Sequence, residues 1–121
     1  MTTVDLELAK ELQSVCKEKG IKLLKSYFSY ASRMPSQTTI IRCTWQTESP
    51  NWELVAYAYT LDELLEIAIN NKICIYIGYD FDRKQYEAWV YDDRYEFIAA
   101  DKYSHSNAAC KLLIFLIKVL S

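Results

Sequence analysis

The sequence predicts an α+β fold: an antiparallel sheet of about six strands with helices on one face, in the order α-β-β-β-α-β-β-β-α. Three observations carry this. Apolar residues recur at helical spacing near both ends of the chain and once in the middle. Between these segments lie short runs of alternating character, separated by turn clusters. Strands joined by such short turns pair antiparallel. With 121 residues, 51% of them apolar or aromatic, the chain is expected to form a single domain over residues 1–121 with a real core.

In the first helix Val4, Leu8, Leu12 and Val15 form one stripe, flanked by Ala9 and Cys16, with Glu7, Lys10, Glu11 and Glu18 outside it. Thr2 or Thr3 can cap its start with Asp5 near the positive end, and Gly20 supplies a left-handed stop. Strands are expected at 26–31, 38–46 and 52–59, with turns at 34–37 and 47–51. The third is apolar enough on both faces to be central in the sheet. Thr60-Leu61-Asp62-Glu63 is a capping box, and Leu61, Leu64, Leu65 and Ala68 form the stripe of a short helix ending near Asn70-Asn71. Ile73, Ile75 and Ile77 predict a well-buried strand over 72–79. Strands at 85–91 and 94–100 follow, joined by a tight turn at Asp92-Asp93, and a helix starts at Ser104 or Ser106 and runs to about Leu120.

The last unit, three strands followed by Ala108-Ala109-Cys110-Lys111-Leu112-Leu113, resembles in element order the small β-β-β-α domains of HicB-type antitoxins and of phage sandwich domains. The resemblance spans about the last fifty residues and carries no functional residue across.

The net charge of −2 excludes a strongly cationic binder of the histone kind. Cys16, Cys43, Cys74 and Cys110 all lie in apolar patterns without a C-x-x-C pair, so four buried, reduced thiols are expected. The first residues carry acids where the apolar core of a leader would lie, and the longest apolar run, 112–117, is too short to span a bilayer. A cytoplasmic protein away from the membrane is expected.

Catalytic chemistry finds little purchase. His105 is the only histidine, and Cys110, five residues on, points to another side of the helix. The usual paired zinc spacings are missing, and with Gly20 and Gly78 as the only glycines there is no phosphate-cradling loop. Asp80 and Asp82 flank Phe81 at one turn and Asp92-Asp93 form another, where aspartate serves local hydrogen bonding before it holds a cation. No enzyme activity, metal or cofactor is expected.

What remains is surface. Tyr79, Asp80, Phe81 and Asp82 in one loop, and Tyr91, Asp92, Asp93 and Tyr95 in another, combine rings with charge and suit an unidentified protein partner. Successive hairpin turns lie at opposite sheet ends, so the two loops should not merge. The alternative is RNA or single-stranded nucleic acid on the basic 17–42 segment, through Lys22, Lys25, Tyr27, Tyr30, Arg33 and Arg42. A nucleotide-like small ligand held among Tyr, Trp and Arg side chains is a third class. The last helix is apolar around nearly its whole circumference, which predicts a homodimer interface at Ile114, Phe115 and Ile117 unless the first helix covers the surplus.

Overall fold

The computed structural model describes the backbone of residues 4–21, 27–32, 40–43, 52–92 and 95–120, and the side chains of 4–21, 59–90 and 98–119. The chain is α+β. Its elements are α1 (Leu6–Lys19), β1 (Tyr27–Ser32), β2 (Ile40–Cys43), β3 (Trp52–Ala58), α2 (Leu61–Asn70), β4 (Tyr76–Asp80), β5 (Gln85–Asp92), β6 (Tyr95–Asp101) and α3 (His105–Leu120).

The expected single sheet is corrected. Among the described residues hydrogen bonding divides the strands into two three-stranded antiparallel sheets, β2-β1-β3 and β4-β5-β6. β3 is therefore an edge strand of the N-terminal sheet, pairing with β1 alone among the described residues, and β1 takes the central place. The helices do not share one face of one sheet either. α1 packs on β3 and on α3, α2 packs on α3, and α3 lies across β4, β5 and β6.

This arrangement disposes of the surplus apolar surface on α3. Leu112, Leu113, Ile114, Leu116 and Ile117 are all buried within the chain. A helix that is apolar nearly all round needs cover on more than one side, and a sheet together with two helices supplies it. Ile114 and Ile117 are thus core residues rather than a dimer interface. Of the three expected interface residues only Phe115 reaches the surface, 44% exposed.

Local signals act where the residues demand it. Gly20 closes α1 at φ +71°, the left-handed region that costs a glycine nothing, and its amide donates to Cys16 and Lys17 carbonyls. At α2 both arms of the capping box form: the Glu63 amide donates to Thr60 Oγ1 at 3.3 Å, and the Thr60 amide donates to Glu63 Oε1 at 3.1 Å. Asp5, not a threonine, is the N-cap of α1, and its side chain makes no cap bond to its own helix. The expected caps Thr2 and Thr3 lie outside the described residues. β4 begins at Tyr76, four residues later than the alternation at 72–79 implies. Lys72 at φ 60° and the Ile73 amide bonding the Ala68 carbonyl at 2.8 Å use those residues to close α2 instead. Ile73, Ile75 and Ile77 are partly buried against the core.

The thiols also differ from expectation. Cys16 and Cys110 are buried, but Cys74 is exposed, and the side chain of Cys43 lies outside the described residues. Burial pushes the Cys16 thiol up to about 11. Burial also pushes Cys110 well above the ordinary range, assisted by the nearby Glu11 and Cys16. No described helix is long and apolar enough to cross a membrane.

Candidate functional site

The site is built at one end of the C-terminal sheet. β4 and β5 meet there in a turn, because Asp80 and Gln85 are the last paired residues of that ladder. The Asp80 carboxylate holds the turn from inside: its Oδ1 accepts from the Asp82 amide at 3.0 Å and from the Arg83 amide at 3.1 Å. Lys84 at φ 53° completes the reversal. The Asp80 carboxylate therefore serves the turn, Asp82 contributing its backbone amide, and Asp80 is also within 3.8 Å of the Arg83 guanidinium. The turn carries Phe81 outward, 83% exposed.

Phe81 is tied to the helical layer by a run of edge-to-face rings. Its ring stands 5.1 Å from that of Tyr79, Tyr79 is 5.0 Å from its cross-strand partner Tyr86, and Tyr86 is 4.6 Å from His105. His105 is the first residue of α3, and its Nε2 lies 3.1 Å from the Gly78 carbonyl. A carbonyl can only accept, so Nε2 carries the proton. His105 is thus a strut between α3 and β4.

Beside His105 the start of α3 is anchored by a polar cluster that sequence reasoning missed. Ser104 caps α3, with Oγ accepting from the Asn107 amide at 3.0 Å. Asn107, buried, accepts from the Asp5 amide at 2.9 Å through Oδ1. Its Nδ2 donates to Asp5 Oδ2 at 2.9 Å and to Asp101 Oδ2 at 3.3 Å. Asp101 also accepts from the Tyr103 and Ser104 amides and from Lys111 Nζ, the last at 2.9 Å. Burial raises the Asp101 carboxyl, but the bonds from Lys111, Tyr103, Ser104 and Asn107 outweigh it and hold it below the usual carboxylate range. The start of α1 and the start of α3 are joined here across a sequence separation of 102 residues. No local motif could have revealed the pairing.

Between residues 60–62 at the start of α2 and 104–106 at the start of α3 lies an open cleft of about 330 Å³, walled by Tyr86 and Tyr103. Tyr103 is 80% exposed. Tyr86 pairs with Asp101 across β5 and β6, so the cleft, Tyr103 and the Phe81 turn share one end of the sheet. Among the described residues no three His, Cys, Asp or Glu side chains gather as a metal-holding group.

The described part of the second aromatic loop lies at the opposite end of the C-terminal sheet. In the second aromatic loop Tyr91 pairs with Glu96 and Asp92 with Tyr95, a full strand length of about 24 Å from the Phe81 turn. Asp93 lies outside the described residues. Of the basic segment, Lys22, Lys25 and Arg33 lie outside them too. Tyr27 is paired with Ala58, Tyr30 with Ile41 and Arg42 with Ser29, all in the N-terminal sheet. Comparison with protein-family models, with curated proteins and with solved structures gives no match.

Proposed function

We propose that the chain is a single-domain, non-enzymatic protein-binding module of the regulator, antitoxin or inhibitor type, working in the cytoplasm without a cofactor. In this reading the 79–82 turn and Tyr103 meet an unidentified protein partner. The observation that carries it is Phe81: a large ring 83% exposed on a turn held by two Asp80 hydrogen bonds and continued inward by edge-to-face rings. A ring already held in place loses little freedom on binding, which is the property of an interface anchor. Tyr103 at the same sheet end adds a second exposed ring.

The test compares the wild-type chain with Phe81→Ser and Tyr103→Ser as immobilised bait in a lysate of the native host. Both side chains are exposed, so both variants should keep their helical circular dichroism. A host protein held by the wild type and by Asp92→Asn, but lost by both serine variants, is the expected result. Identical capture by all four chains would refute the assignment. A salt series with a labelled single-stranded oligonucleotide addresses the nucleic-acid alternative. A log–log slope near zero is expected, whereas a slope of several units, abolished by replacing Lys22, Lys25, Arg33 and Arg42 with Gln, would favour that alternative.

A further inference from the structure

We propose that the outer face of the C-terminal sheet binds an arginine side chain of a partner polypeptide, with the Trp89 indole as its platform and the Glu87 carboxylate as its counter-ion. The face stands apart from the 79–82 turn and shares with the reading above only that the partner is a protein. Tyr76, Trp89 and Ile98 form one cross-strand row on it. Tyr76 is 48% and Ile98 62% exposed. The Tyr76 and Trp89 rings are nearly parallel, 17° apart with centroids at 6.2 Å, and so make one extended aromatic surface.

Gly78 makes this surface possible. A β-carbon there would fall 2.8 Å from Cη2 and Cζ3 of Trp89, so the far end of the indole lies over the glycine. Glu87 pairs with Gly78 and Ala100, the small residues of the next row. It lies two residues before Trp89 on the same strand, hence on the same face and about 7 Å away. A guanidinium lying on the indole can reach a carboxylate at that spacing, since arginine stacks on rings and bonds carboxylates with the same planar group. Gln85 Nε2 donates to Glu87 Oε1 at 3.3 Å and turns the carboxylate along the face.

Charge selects the occupant. The described strand residues of this face place Glu87 beside the indole and include no lysine or arginine, so a cation is attracted and a polyanion repelled. Stacked nucleobases would bring phosphates toward that carboxylate.

The experiment follows the indole N–H resonances of the ¹⁵N-labelled full chain, with that of Trp89 assigned from Trp89→Phe. The probes are a blocked Gly-Arg-Gly-Arg-Gly peptide, the same peptide with Glu for Arg, and oligothymidylate. The arginine peptide should move the Trp89 resonance selectively and the other two should not. Glu87→Gln should weaken that titration by about threefold to fivefold, and Tyr76→Ser should weaken it less. Phe81→Ser should leave it unchanged, which separates this site from the 79–82 turn. No movement at millimolar arginine peptide, an equal response to oligothymidylate, or a titration indifferent to Glu87→Gln would each overturn the proposal. Glu87→Gln is close to isosteric and half-buried, so its fold can be checked independently from its amide spectrum.

Discussion

The two faces of the C-terminal sheet are built from the same three strands, one residue out of step, and two adjacent rows invert the usual distribution of size. The inner row runs Ile77, Ala88, Ala99 and the outer row Tyr76, Trp89, Ile98. Ala88 is buried while two of the three large outer residues are exposed. This inner row is lean because α3 lies across it with its own small residues, Ala108, Ala109 and Cys110, in the same core. Small residues on both sides let a helix and a sheet approach closely, and dense packing replaces side-chain bulk. The core therefore has no room for the outer row. Large rings kept at the solvent face without a role in the core are what an interaction surface requires.

The comparison breaks most readily at the seat of α3. Asn107→Ala removes the partner of the Asp5 amide and of two carboxylates, so a loss of about 3 kcal/mol in chemical denaturation is expected. A loss below about 1 kcal/mol would mean that this cluster does not hold α1 and α3 in register. Next in size, Ala88→Leu should cost about 2 kcal/mol by overpacking the inner row, while Ile98→Ser on the outer row should change stability by less than about 0.5 kcal/mol. Equal costs at the two positions would erase the distinction between the faces. Gly78→Ala is subtler. Alanine ordinarily gains in a strand, but here the indole must swing aside, so a net loss of about 1 kcal/mol and a displaced Trp89 indole resonance are expected.

The pH dependence follows from Asp101, whose carboxyl is held low in the folded state. Its contribution is complete above the unfolded carboxylate pKa of about 3.9 and is lost as pH falls through the lower folded value. Asp101→Asn should flatten the acid limb of the stability curve, and an unchanged limb would assign it to other groups. The smallest effect is chemical rather than energetic. Cys74 should react quickly with a bulky thiol reagent in the native state, whereas buried Cys16 and Cys110 should react only on unfolding.

Much of the fold was legible because it rests on neighbours in sequence. The Thr60–Glu63 box, Gly20 as a stop and Ser104 as a start each concern a few consecutive residues, and their hydrogen bonds form whatever surrounds them. The Phe81 turn was legible for the same reason, since Asp80 bonds amides two and three residues on. Alternation predicted a buried side for Ile77, but it could not say how many sheets the strands make. It also could not foresee that the edge position of β3 would leave β1 central.

What the residues determined by themselves is thus the set of elements with their caps and turns, along with the apolar faces that had to be covered. What only the tertiary structure decided is which surface covers which. Tertiary packing set α3 against a sheet and two helices, so Ile114 and Ile117 became core and Phe115 did not. It joined Asp5 to Asn107 across 102 residues and left Cys74 in solvent. The physical reason is range: capping and turn bonds act over three or four residues, whereas burial is non-directional and is resolved only when the whole chain has packed.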